Sequence, residues 1–261
     1  MDINYHTHTI RCNHASGSER EFIEEAIAHN MPVLGFANHC PYIFFDTDYY
    51  SRHRMWPHQT EDYFTTLVKL REEYKGQIDI KIGLEAEYYP KYFGRLLEFL
   101  APYPLDYMIL GQHFIGNEVP PGIYSGAETD SEQRLAMYVD QVLEALSLGC
   151  FSYLAHPDLP KFVGDAAAYR RQNLRLCEGA KKLNIPLEIN LLGIREKRQY
   201  PREDFFEIAA EVGNEIILGS DAHAPDVVFD APSRETAKTM AKKLGLKLIE
   251  DVKLLPVPHS L

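Results

Sequence analysis

No stretch of this chain approaches the roughly 20 consecutive apolar residues that a helix needs to cross a bilayer, so a membrane-spanning role is set aside. A basic segment followed by an apolar stretch is also missing from the start, and a cytoplasmic location is the expectation. Cysteine is scarce: Cys12, Cys40, Cys150 and Cys177 form no Cys-x-x-Cys pair. A chain of 261 residues can bury a core without staples, so all four read as free thiols. Positive charge is in deficit, with 27 Lys and Arg against 38 Asp and Glu and a formal net charge of −11. That balance disfavours binding along nucleic acid backbones, which calls for a basic face. Linkers rich in Gly, Ser or Pro, internal repeats and low-complexity tracts are absent too, and residues 1–261 read as a single domain.

What is present is an alternation of short β-rich runs with longer helical patterns, the pattern of repeated βα units around a parallel sheet. Seven strands are predicted: Asn4–Thr9, Val33–Asn38, Ile78–Glu85, Tyr107–Gln112, Phe151–Ala155, Pro186–Asn190 and Glu215–Ser220. Most are apolar throughout, as strands covered on both faces require. The first helix starts at a capping box, Ser18 with Glu21, followed by Phe22, Ile23, Ala26 and Ile27 at helical spacing. Further helices are expected over Glu61–Tyr74, Tyr92–Leu100, Ser131–Leu148, Ala166–Leu183, Arg202–Glu211 and Arg234–Leu244, the last capped by Ser233 and ended by Gly245. Two long irregular stretches, Cys40–Thr60 and Phe114–Thr129, follow strands that end in a histidine, and loops of that length are commonly functional.

Histidines and acids gather at the strand ends. His6 and His8 lie two apart on a strand, so both rings project from one face and can reach one metal. His39 follows the second strand, Glu85 closes the third, His113 follows the fourth and His156 the fifth. Asp221 and His223 follow the seventh. In a parallel barrel the C-terminal ends of the strands converge on one rim, where catalytic groups collect. With His14 in the first loop, nine side chains suited to divalent metals are expected there. His29, at the end of the first helix, and His259, in the tail, are expected to be structural or solvated. His53 and His58 stand open between substrate contact and plain surface. Cys12 and Cys40 read as packed thiols, with thiolate ligation the alternative. Glu87 is expected behind the ligands or at the surface.

These segments resemble the polymerase and histidinol phosphatase (PHP) family: His6-Thr-His8, Ala37-Asn-His39, Gly83-Leu-Glu85, Gly111-Gln-His113, Ala155-His156-Pro and Ser220-Asp221-Ala-His223. The resemblance spans essentially the whole chain and implies a distorted (β/α)7 TIM-like barrel with three divalent ions, of zinc, iron or manganese. It implies that His6, His8, Glu85 and Asp221 hold the first ion. Glu85 would bridge to a second ion held by His113 and His156, and His14, His39 and His223 would hold a third. The stretches His156-Pro-Asp-Leu-Pro-Lys161-Phe and Glu85-Ala-Glu87-Tyr-Tyr-Pro90 look most like the histidinol-phosphate phosphatase branch. Asn38, where Thr, Asp or Glu is commoner in the family, and the Cys40-Pro-Tyr stretch depart from that pattern.

The implied activity is hydrolysis of a small phosphomonoester, histidinol phosphate, by a metal-activated hydroxide. A pocket holding several cations can attract phosphate although the remaining surface is acidic. No Asp-x-Asp-x-Thr or Cys-x5-Arg segment argues for a covalent phosphoenzyme. Asp221 or His223 is expected to protonate the leaving alkoxide. Arg195 and Arg198, just past the sixth strand, are best placed for the outer phosphate oxygens. Asp46 and Asp48, among the aromatics of the first long loop, could meet the substrate's ammonium and imidazole, or that loop could be a packed lid. The alternatives are a phosphodiesterase or nucleotide phosphatase on the same metals, an amidohydrolase, and a non-catalytic metal-binding module.

Overall fold

A computed structural model describes residues 2–260. The strands are β1 (Val33–His39), β2 (Asp79–Ala86), β3 (Tyr107–Leu110), β4 (Phe114–Ile115), β5 (Ile123–Tyr124), β6 (Phe151–Leu154), β7 (Leu187–Asn190), β8 (Glu215–Gly219) and β9 (Lys247–Leu248). The helices are α1 (Glu19–Ala28), α2 (Thr60–Glu73), α3 (Phe93–Leu100), α4 (Glu132–Ser147), α5 (Ala166–Lys182), α6 (Leu191–Arg195), α7 (Glu203–Val212) and α8 (Ala231–Leu244). Seven strands form one parallel sheet in the order β1-β2-β3-β6-β7-β8-β9, and β4 and β5 form a separate antiparallel hairpin. No described helix is long and apolar enough to cross a membrane.

The sheet curls, and alternation along its strands sorts the core into two layers. Tyr107 and Ile109 of β3 point to the inside of the curl, with Tyr5, Ala37, Tyr153, Ala155 and Ile217. Met108 and Leu110 of the same strand point outward, under the helices, with Phe36, Phe93, Leu97, Val142 and Phe151. This two-sided burial explains why the strands are apolar without a polar alternate.

The expected first strand, Asn4–Thr9, is a correction. It forms only two isolated parallel bridges, Asn4 to Leu34 on one side and Thr7 to Ala222 on the other. Asn4 is the cause: its Oδ1 accepts from the backbone N–H groups of His6 and Ser220, which replaces part of a regular ladder with side-chain bonds. The segment still lies between β1 and the end of β8. The Ala37 N–H donates to the Thr7 carbonyl at 2.8 Å, and the His8 N–H donates to the Ala222 carbonyl at 2.8 Å.

The helix termini follow their capping chemistry. The Ser18–Glu21 box is formed. For α8, Asp230 rather than Ser233 is the N-cap, accepting from the Ser233 N–H, because a proline is tolerated in a first helical turn and Pro232 lets the helix begin earlier. Gly245 ends α8 at φ 68° as expected. The five-residue α6, capped by Asn190, and the hairpin β4–β5 inside the second long loop are too short to show a period.

Candidate metal centre

Each strand end delivers its side chains to one rim. Glu85 stands at its centre, 1% exposed. Its Oε1 lies 2.9 Å from His156 Nε2 and 3.5 Å from His113 Nε2. Its Oε2 lies 2.8 Å from His39 Nδ1 and 3.6 Å from both His6 Nε2 and His8 Nε2. Asp221 Oδ1 is 3.1 Å from His8 Nε2 and 3.6 Å from His6 Nε2. Beyond it, the rings of His8 and His223 stack with centroids 4.1 Å apart, and His14 lies 4.6 Å from His223. All nine residues expected at the rim therefore converge.

The donor atoms fit divalent cations better than they fit one another. His6 Nε2, both ring nitrogens of His8, His156 Nδ1, Glu85 Oε2 and Asp221 Oδ1 are buried with no hydrogen-bond partner. The 2.8 Å approach of His39 to Glu85 and the 3.1 Å approach of His8 to Asp221 lack hydrogen-bonding alignment, so these lone pairs converge on shared points. His14 Nδ1 faces the Cys12 carbonyl at 2.8 Å and His223 Nδ1 faces the Asp221 carbonyl at 3.2 Å, which places a proton on each Nδ1. Their Nε2 lone pairs then meet head-on at 2.9 Å, a repulsive contact that a shared cation would relieve. Among the described residues, four triads have donors within 4.8 Å of one another: His6, His8 and Asp221; His39, Glu85 and His113; His8, His39 and His223; and Cys12, His14 and His223. Cys12 is the weak member, since burial pushes its thiol up to about 11.

The protonation directions divide the rim: burial lowers His6 and His113, but neighbouring carboxylates, led by Glu188 and by Glu85, outweigh it and raise both. Burial, helped by His39 and His223, pulls His14 down to about 4, and burial with the same two neighbours lowers His8. His223 is lowered by burial against the pull of Asp221. Burial raises the two carboxyls, but neighbouring histidines outweigh it, led by His113 and His39 for Glu85 and by His6 for Asp221; both are held well below the usual range. Ligation takes the neutral imidazole and the ionised carboxylate, so a cation bound here would displace the protons that the carboxylates hold on His6 and His113.

The backbone is strained where these groups are presented. His156 at φ 30° and Asp221 at φ 45° occupy the left-handed region, at a cost on the order of 1–3 kcal/mol each. A Cβ at Gly111 would lie 1.9 Å from Glu85 Oε1, so only glycine leaves room for that carboxylate.

A second layer, of which sequence reasoning offered only Glu87, holds the rim side chains in place. Glu188 on β7, fully buried, accepts from His6 Nδ1 at 2.8 Å and from the His156 N–H at 2.9 Å. Asn190 donates to both Glu188, at 2.9 Å, and Asp221, at 3.1 Å. Glu87, expected behind the ligands or at the surface, is buried and accepts from His113 Nδ1 at 3.0 Å. Such bonds fix ring orientation and tautomer at metal sites.

The rim opens into a cavity of about 630 Å³, the size of a small-molecule site. Phe114, Tyr124, Leu159, Leu192 and Tyr200 give it apolar walls, and His53, Glu196 and Arg198 also line it. Arg198 reaches it with one partner, Glu196. Arg195 does not line it: its guanidinium faces Asp230 at 2.5 Å and the carbonyls of Ser220 and Asp221. In the first long loop, Asp46 pairs with Lys91 and Tyr92, and the aromatic rings pack on Tyr89 and Tyr92, away from the cavity. His58 lies by Trp56, His29 stacks on Phe229, and His259 is exposed.

Comparison with known proteins finds relatives over most of the chain. A probable histidinol-phosphatase of Deinococcus radiodurans is 29% identical over 229 residues, covering 85% of this chain and 86% of its own length. A histidinol-phosphatase of Lactococcus lactis is 24% identical over 257 residues, covering 93% and 91%. Two solved structures share the fold. One is the histidinol phosphate phosphatase of L. lactis complexed with Zn, L-histidinol and phosphate, with TM-score 0.69, 22% identity and 95% of both chains covered. The other is a putative histidinol phosphatase of Listeria monocytogenes, with TM-score 0.72, 21% identity, and 89% of this chain and 99% of that one covered. The family model described as PHP domain matches residues 4–191, and on that match the chain belongs to the PHP domain family.

Proposed function

We propose that this chain is a metal-dependent phosphomonoesterase acting on histidinol phosphate, with the whole chain serving as one catalytic domain in the cytoplasm. We read its fold as a (β/α)7 barrel in which the Asn4–Thr9 segment takes the place of the first strand. The observation that carries the proposal is the division of Glu85: one carboxylate oxygen faces His113 and His156, and the other faces His6, His8 and His39. That is the arrangement a bridging ligand requires. His6, His8 and Asp221 would complete one ion's shell, His113 and His156 a second, and His14, His39 and His223 a third. The histidine-rich donor set suits zinc, and iron and manganese as well. Bound there, divalent ions would neutralise phosphate charge and bring a water toward hydroxide at neutral pH.

The chain's own residues supply the rest. Arg198, the guanidinium at the cavity wall with donors to spare, would take the outer phosphate oxygens. Asp221 and His223 line the same cavity, and either, after taking the proton released by the attacking water, would return it to the leaving alkoxide. Tyr124, Tyr200 and Phe114 offer flat faces to an imidazole, and Glu196 a carboxylate to an ammonium.

The nearest competing reading, a phosphodiesterase on the same ions, is separated by kinetics on aryl esters. p-Nitrophenyl phosphate should be hydrolysed with kcat/KM at least about 10²-fold above bis(p-nitrophenyl) phosphate, since a site built to pair each outer oxygen leaves those partners unsatisfied by a diester. Equal or faster turnover of the diester would overturn the monoesterase reading.

A further inference from the structure

Arg54, in the first long loop, lines the cavity yet is only 4% exposed. Its position beside a phosphate-sized site invites an anion-binding role, but its donors are spent. Nε donates to Glu118 at 2.7 Å, one terminal nitrogen donates to Glu87 at 2.9 Å and to the Cys40 carbonyl at 3.2 Å, and the other donates to Glu87 at 2.9 Å and to Glu118. These five bonds match the five N–H groups a guanidinium has. Tyr42 covers the group from one side, with the guanidinium carbon 5.5 Å from its ring centre.

The two carboxylates lead in different directions. Glu87 passes through His113 Nδ1 to the metal rim, fixing the tautomer that leaves Nε2 facing Glu85. Glu118 belongs to the second long loop, beside the hairpin that carries Phe114 and Tyr124 of the cavity wall, and it also accepts from Tyr49 and Ser51. Arg54 is the group these carboxylates share, so it joins both long loops to the ligand His113.

We propose that Arg54 is a positioning residue with two separable arms: through Glu87 it sets metal affinity at His113, and through Glu118 it sets the cavity wall that binds substrate. This rests on the metal-site reading above. Removing one partner of a buried pair leaves an uncompensated charge, so replacing Arg54 perturbs both arms at once.

The test measures zinc dissociation directly, by competition with a chromophoric chelator, alongside KM and kcat for p-nitrophenyl phosphate. Glu87→Gln should weaken the weakest zinc site by ~10- to 100-fold. Glu118→Gln should leave zinc binding within about threefold and raise KM by several-fold or more, as lost ground-state binding does. Arg54→Met, where it folds, should show both effects; the two glutamine variants decide the matter if it does not fold. Zinc affinity and KM unchanged in both glutamine variants would overturn the proposal, and so would an equal loss of zinc affinity in the two, which would mean one undivided structural role. A wild-type chain that binds no zinc would instead remove the metal reading, and this proposal with it.

Discussion

Exhaustive chelation is expected to reduce phosphomonoesterase activity by roughly 10³-fold or more, with recovery on adding back a divalent cation. The magnitude follows from the several kcal/mol that metal ions contribute at a developing phosphoryl charge, each 1.36 kcal/mol being tenfold in rate. Folding stability should fall in the same experiment. His6 Nε2, His8, Glu85 Oε2 and Asp221 Oδ1 are buried without partners, so an ion that binds only the folded state stabilises it by about 4 kcal/mol at 1,000 times its dissociation constant. A thermal scan of stripped and reconstituted protein should therefore show a lower midpoint for the stripped form. Full activity in protein shown to be metal-free would leave the convergence of nine donors without an explanation.

Glu85→Gln should be nearly as damaging. The substitution keeps the volume of the side chain, and Gly111 still leaves room for it. It replaces one anionic oxygen by an amide NH2 that cannot ligate, so either the His113 and His156 side or the His6, His8 and His39 side loses its shared donor. A loss of roughly 10³-fold in kcat/KM, about 4 kcal/mol, together with fewer bound ions per chain, is expected. Normal turnover with a full complement of metal would remove Glu85 from the centre of the account.

Eight of the nine donors of the rim are visible in the sequence because a single geometric rule, that parallel strands end on one edge, gathers residues far apart in the chain; His14, in the first loop, is not fixed by that rule. What lay behind them was harder to see. Glu188 gave a faint signal: a carboxylate between Leu187 and Ile189, in a strand expected to be buried on both faces, must find a partner. Asn190 reads only as the last residue of the expected strand Pro186–Asn190, because the five-residue helix it caps has no readable period. Arg54 and Glu118 lie in the two long loops, where no periodicity relates one position to another. Arg195 and Arg198 were equivalent on sequence, each just past a strand. The short α6 separates them, turning Arg195 toward Asp230 and leaving Arg198 on the cavity wall. The Asn4–Thr9 segment falls short of the expected strand because the Asn4 side chain competes for backbone N–H groups, which is not a property of strand propensity.

The most direct test of the account is the ratio of kcat/KM for histidinol phosphate to that for p-nitrophenyl phosphate, measured on the same metal-loaded protein. The ions alone would favour the aryl ester, whose nitrophenolate leaves more readily than an alkoxide, so a preference for histidinol phosphate must come from cavity contacts to the ammonium and imidazole that add transition-state binding. The account predicts a ratio of at least about 10³ in favour of histidinol phosphate, the scale reached when a site built for hydrogen-bonding groups meets a substrate that lacks them. A ratio at or below unity would contradict it.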